Sequence, residues 1–326
     1  MAKTKLTQYL FWIGCAVAGV LVGTGAIYWH ENNSITPTPQ LTQTVEPITT
    51  VSPVASPISQ PVRLIFTGDV MLGRSVNKNI VEHADPAWPF IYVADRLRSA
   101  DITYINLEGP LVASCPVVDT GMVFCGSTDN VAGLVSAGVD IASLANNHAT
   151  NYGSDGLSST ITTLSANGIS PVGVGAPVKL TRHGQNFTFL SFNDIGPYPG
   201  IDNVDETTLP VTIQNAKVAG QTLIVTFHWG HEYQANPSQR QVRLAHAAID
   251  AGADLVVGAH PHWVQTHELY QGKPIYYSLG NFIFDQEWSA ETKRGLVVEF
   301  SYLNGELLKT EEFSVLIENY GQPHFQ

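Results

Sequence analysis

Residues 62–69 read "VRLIFTGD", an apolar run with little alternation, closed by Gly68 and Asp69. A strand that is hydrophobic on both faces belongs inside a sheet covered on both sides, and parallel strands are the ones covered that way. The same pattern recurs down the chain. "DITYINLE" (101–108), "VDIASLA" (139–145), "FTFLSF" (187–192), "TLIVTFH" (222–228), "DLVVGA" (254–259) and "IYYSL" (275–279) read as strands. Apolar residues at helical spacing predict helices at 91–100, 154–167 and 238–251. Strands alternating with helices imply parallel pairing. The stretch 294–317 reads as two or three further strands around the turn "NGE" at 304–306, so the sheets are expected to be mixed.

In such α/β folds ligands gather beyond the carboxyl ends of the strands. Here the strand ends carry Asp69, then Glu108, then Asn146, Asn147 and His148, then His228, and finally His260 with His262. Carboxylates, an amide and imidazoles are the donors that hold ions of the zinc, manganese and iron type. Singly each is weak. "GAHPH" (258–262) also fits a loop with solvated histidines, "FHWG" (227–230) a strand-end histidine bonded to a neighbouring loop, and Asp69 a cap on the next segment. Their recurrence at successive strand ends favours a metal site.

The 326 residues are 44% hydrophobic, enough for one large α/β domain or two smaller ones. Residues 9–29 carry no charge over 21 positions, the length of a membrane-spanning helix. Lys3 and Lys5 before that run orient the chain with everything after residue 30 outside the cytoplasm. A cleaved signal peptide with small residues "TGA" at 24–26 competes with an uncleaved anchor, and a lipid attachment at Cys15 is disfavoured by Trp12. All three place the body of the protein outside. The expected organisation is a cytoplasmic tip and anchor at 1–31, a Pro/Thr/Ser-rich linker at 32–60, and a single domain at 61–326. Cys115 and Cys125, in "CPVVDTGMVFC", are read as a local disulfide, since a zinc site would lack nearby partners. From residue 32 onward there are 14 basic and 27 acidic residues, net −13, which argues against nucleic acid as a partner. An anionic substrate would then need a local positive centre, such as a bound ion.

Six stretches, taken together and in order, resemble a known family: "FTGDVMLGR" (66–74), "INLEGPL" (105–111), "SLANNHATNYG" (143–153), "HWGHEY" (228–233), "GAHPHWVQ" (258–265) and "YSLGNFIFDQ" (277–286). They are similar to the CapA-type capsule-synthesis proteins associated with poly-γ-glutamate, a family related to calcineurin-like metallophosphoesterases. The resemblance covers about residues 62–300. It implies a four-layer αββα sandwich with mixed sheets and one or two divalent ions, of manganese, zinc or iron type, at one edge. By motif it implies Asp69, Glu108, Asn147, His228, His260 and His262 as metal ligands and His148 as the group facing substrate. Arg74 is a second catalytic candidate, able to fork onto a phosphate or carboxylate, with an ion pair as the alternative. Glu232, Tyr233 and Asn281 are expected to support the ligands or touch substrate. His231 is read as a surface residue, and His30, His83, His183, His246, His267 and His324 match no ligand motif.

Three positions depart from the related enzymes. Met71 stands where they carry a histidine ligand, Ala149 where an acid orients the catalytic histidine, and Asn151 where CapA-type sequences have aspartate. One metal position is therefore expected to be altered, and His148 to lack acidic support. The implied function is a membrane-anchored, extracytoplasmic, metal-dependent hydrolase-type protein in capsule or related polymer biosynthesis. Its expected partners are the anionic surface polymer or its precursor and a membrane synthesis or export complex. The alternatives are a non-catalytic polymer-handling subunit and a general extracellular metallophosphoesterase.

Overall fold

The computed structural model describes residues 60–326, so the expected membrane helix and the linker up to residue 59 lie outside the described residues. Among the described residues no helix is long and apolar enough to cross a membrane. The opening run forms the strand Val62–Val70 in the middle of the first sheet. On one side it pairs in parallel with Ile102–Leu107, followed by Ile141–Ser143 and Ser170–Val172, also parallel. On the other side it pairs antiparallel with Arg294–Leu303, followed by Glu306–Glu318 and Gln322–Phe325. The turn between the first two of these uses Asn304 and Gly305, both at positive φ, as a tight hairpin requires.

The second sheet runs His267–Tyr270, Lys273–Tyr276, Leu255–Ala259, Thr222–His228, Gln185–Asn193, Val178–Arg182. Its inner four strands are parallel and its two edge strands antiparallel. Mixed sheets are thus present as expected.

Alternation along Val62–Val70 decides the layering. Leu64 and Phe66 belong to a core shared with Phe187, Phe189, Ile224 and Leu255 of the other sheet. Ile65 joins a second core with the helices Arg74–His83 and Gly153–Ala166, as does Val70 beyond the irregularity at Asp69 that shifts the strand's register. A third core packs Leu223 and Val225 against Leu244 and Ala248 of the helix Gln239–Asp250. The order is therefore helix, sheet, sheet, helix. Each buried Phe or Leu contributes about 1.5–3 kcal/mol; truncating Phe66, packed edge-on against Phe300 at 5.8 Å, would cost about 3–5 kcal/mol.

Two of the three predicted helices form as expected. Gln239–Asp250 starts with a capping box in which Ser238 accepts from Gln241 N–H and the Gln241 side chain returns the bond. The third does not: within 91–100 only Ala94–Arg98 is α-helical. Val93 and Leu97, four apart, reach the core, whereas Ile91 and Tyr92 are exposed. Only one turn has an apolar face to bury. The disulfide Cys115–Cys125 is present.

Candidate metal centre

The parallel strands of both sheets end at one edge, and the close approach there is enforced by small residues. Asp69 N–H donates to Gly280 O at 2.9 Å. A Cβ on Gly68 would lie 2.1 Å from that same oxygen, so no side chain fits. On the loops that follow, Tyr233, His260 and His262 hold φ of +60°, +98° and +58°. Non-glycine residues held there typically mark functional sites.

Two sets of donors converge at this edge. Asp69, Glu108 and His228 offer atoms within 4.8 Å of one another, and so do Glu232, His260 and His262. The sets adjoin: the rings of His228 and His260 lie 4.7 Å apart, and His262 Nδ1 is 3.1 Å from Asp69 Oδ2. Asn147 Oδ1 accepts from His228 Nε2 at 2.8 Å, which brings the amide to the edge of the cage. Asn281 accepts from His262 Nδ1 at 2.9 Å, leaving Nε2 directed toward Glu108, 3.9 Å away. A partner on one ring nitrogen fixes which nitrogen is free to bind an ion.

The decisive test of fit is Glu108. It is completely buried, and neither of its carboxylate oxygens has a hydrogen-bond partner; nor has the buried His260 Nδ1. An orphaned buried carboxylate is strongly unfavourable unless a cation faces it. The donor set, all carboxylate, amide and imidazole, fits a divalent ion of the zinc, manganese or iron type.

Electrostatics agree. Burial, reinforced by the neighbouring histidines, holds His228 well below the ordinary histidine value and His260 at about 3. Both are the neutral form that ligates metals. Burial pushes the Glu108 carboxyl up to about 8. Burial also opposes charge on His262, but the facing Glu108 and Asp69 carboxylates outweigh it and raise that imidazole, so Glu108 and His262 hold one proton between them to above neutral pH.

His148 stands beside this cage, its Nε2 3.7 Å from Glu108 Oε1. Its expected acidic support is replaced by an amide. Asn151 Oδ1 lies 2.9 Å from His148 Nδ1 and also accepts the Phe124 N–H at 2.7 Å. Because the backbone N–H must donate, the atom facing His148 is the amide oxygen, and Nδ1 is therefore the protonated nitrogen. The ring of Phe124 stacks on His148 with centroids 4.0 Å apart. Burial lowers the pKa of His148, and the Asn151 contact offsets this only in part. Asn146 holds the turn, donating to Leu107 O at 2.9 Å and accepting from His148 N–H at 3.1 Å.

Arg74 takes the ion-pair alternative. It pairs with Asp285, donates to Gly121 O at 3.1 Å and lies over the Phe124 ring at 4.6 Å. Met71 is fully buried in the core, and its sulfur accepts the Gly73 N–H at 2.9 Å. Tyr233 accepts from Gln286 Nε2 at 3.2 Å, with its ring 6.1 Å from that of His262.

Three contributors went unassigned in the sequence. Asn106 donates to Asp69 Oδ1 at 2.8 Å, lies 3.3 Å from His228 Nδ1, and accepts from Asn146 at 3.3 Å. An amide inside the otherwise apolar "ITYINL" was the available signal. Phe124 and Asp285 gave none, since each meets its partner only across long stretches of chain.

The family model described as bacterial capsule synthesis protein PGA_cap matches residues 63–286. The chain is 32% identical over 273 residues to the capsule biosynthesis protein CapA of Bacillus anthracis, covering 77% of this chain and 66% of that protein. It is 33% identical over 258 residues to the PGA biosynthesis protein CapA of Bacillus subtilis (strain 168), covering 74% and 68%. The chain thus spans about two thirds of the length of the curated relatives it matches. Among solved structures, a hypothetical protein from Thermus thermophilus aligns with TM-score 0.50 and 17% identity over 78% of this chain and 98% of that one. A phosphatase from Mycoplasma pneumoniae aligns with TM-score 0.50 and 15% identity over 82% and 96%. At these identities the likeness is one of fold.

Proposed function

The chain belongs to the bacterial capsule synthesis protein family, and from that membership we propose that it serves the synthesis of poly-γ-glutamate or a related anionic surface polymer, through a metal-dependent hydrolysis or transfer step. In this reading the domain works outside the cytoplasm, tethered by the N-terminal apolar run, beside a membrane synthesis or export complex. The observation that carries the chemistry is Glu108, a fully buried carboxylate with two unpartnered oxygens set among Asp69, His228 and His262. When bound, a divalent ion supplies Lewis-acid polarisation of a carbonyl or phosphoryl oxygen and a local positive centre in an acidic protein.

The chain's own groups supply the rest. Asn106, Asn281 and Asn147 fix the directions of Asp69, His262 and His228. His148, held at Nδ1 by Asn151 and flanked by Phe124, presents Nε2 to the reacting group and is placed to exchange a proton there. Phe124 shields one face of that imidazole from water. Met71, turned into the core, supports a second reading in which one ion position is missing and the domain handles polymer without turning it over.

Metal content measured on the purified full chain after loading with manganese, zinc or iron, beside turnover of γ-glutamyl amides and phosphodiesters, separates these. The hydrolase reading expects tight metal binding and turnover, both lost in His260→Ala, and turnover alone lost in His148→Ala. Metal without turnover on any substrate supports the polymer-handling reading. A parent that binds no divalent ion refutes both.

A further inference from the structure

Beside the cage lies a groove of about 700 Å³. Its floor is the register Arg294↔Leu316, Gly295↔Val315, Leu296↔Ser314, and one wall is Trp263 with Val264. Groove and cage share a backbone. Asn281, which holds His262 Nδ1, sits so close to Gly295 that a Cβ there would come within 1.8 Å of its carbonyl oxygen. Gly280, at φ +69°, lets Val264 pack onto the Arg294 backbone. Trp263 directly follows His262, and the Tyr233 ring bridges them, 6.1 Å from His262 and 6.4 Å from Trp263. An extended chain reacting at the cage can therefore pass Tyr233 and continue along this groove.

An exposed cation on the groove and an indole N–H buried in its wall both lack a protein partner among the described residues. Trp263 Nε1 is buried without an acceptor. Among the described residues, 11 of the 14 lysines and arginines lie within 4 Å of a carboxylate, but Arg294 does not. Its side chain is exposed on the groove, with Glu291 also lining it. An indole N–H is donor only and calls for a neutral carbonyl; a guanidinium calls for a carboxylate. A γ-linked glutamyl chain offers both in every residue, an amide carbonyl in the backbone and a free carboxylate on the α-carbon.

We propose that this groove is a subsite for a γ-glutamyl segment flanking the reacting bond, with Arg294 taking a free carboxylate and Trp263 an amide carbonyl. The proposal rests on the polymer reading above and adds where the polymer runs. Of Lys179, Arg243 and Arg294, the three described cations with no carboxylate within 4 Å, Arg294 is the one that lines the groove, which gives an acidic chain one uncommitted positive charge there.

The test is calorimetric titration of the full chain with a γ-linked glutamate decamer, without added metal, at two salt concentrations. Arg294→Gln is expected to weaken binding about tenfold, the worth of one charge-assisted contact, and to reduce its salt sensitivity. Trp263→Phe, which keeps the ring and deletes the N–H, is expected to weaken it several-fold at unchanged melting temperature. Arg243→Gln, an exposed arginine outside the groove, should bind as the parent does. If the parent binds the decamer and both groove variants match it, the subsite is wrong while the polymer reading stands. If the parent ignores the decamer, both fail. A preference for polygalacturonate over the decamer overturns the γ-glutamyl assignment.

Discussion

Replacing Cys115 and Cys125 together by alanine tests the strap over His148. The bridge spans ten positions, and for a loop of that length the chain-entropy relation gives about 2.7 kcal/mol of stabilisation through the unfolded state. The native state loses something as well. Phe124 is the residue before Cys125, and its ring contact with His148 is worth roughly 0.5–1.5 kcal/mol. That contact is also held by the Asn151 bond and by Arg74 over the ring, so it is expected to loosen rather than vanish. Guanidinium unfolding of the oxidised parent and the double variant should differ by about 3 kcal/mol, with unchanged dependence on denaturant. Peptide mapping after diethylpyrocarbonate treatment should show faster modification of His148 in the variant. A difference below about 1 kcal/mol would refute the loop-entropy argument, and an unchanged His148 rate would show that Phe124 stays in place without the bridge.

Asn106→Leu should cost about 1–3 kcal/mol by leaving buried partners unpaired, and should weaken metal binding roughly 10–100-fold; equal affinity in a competition titration would show that Asn106 does not orient Asp69. Gly68→Ala, with a Cβ 2.1 Å from Gly280 O, should destabilise by about 3 kcal/mol or more, read from the urea midpoint, and a loss under 1 kcal/mol would contradict the close approach. The metal-free protein should be most stable near neutral pH. Below about 6.5 the unfolded chain binds protons on His148, His228 and His260 that burial keeps off the folded chain, so stability falls as pH drops, and the raised Glu108 carboxyl opposes part of that fall. Above neutrality the stability held by the proton that Glu108 and His262 share is lost as pH rises through about 8 to 9. A urea midpoint that climbs steadily from pH 5 to 9 would contradict these assignments.

The strand ends were legible because each interrupts an apolar run with a polar residue. Thr222–His228 matches its predicted span, and His228 terminates it as the pattern implied. The helix Gln239–Asp250 falls within its predicted span of 238–251. What escaped depends on pairing across the chain. The strand Asn281–Ile283 has three residues, too few for any period, and exists because Val62–Val70 offers it a parallel edge. The helix Arg74–His83 has no side-chain cap and only Val76 and Ile80 buried among its apolar residues, so it reads as polar loop until the core beneath it is known. Arg74 meets Asp285 across 211 positions. The loss of aspartate at 151 was visible, but not that the Phe124 N–H would orient the amide so that its oxygen faces the imidazole.

The distribution of the cage over both sheets bears on timing. Asp69 and Glu108 emerge early in synthesis, whereas His260, His262 and the Asn281 that steers His262 belong to the last third of the chain. No partial product can hold the ion with the full set of donors. On the metal-centre reading, an ion held by the full set of donors would be taken up only once the last third of the chain is in place, and it would be the ion prevailing wherever the completed domain closes, not where its first strand is made.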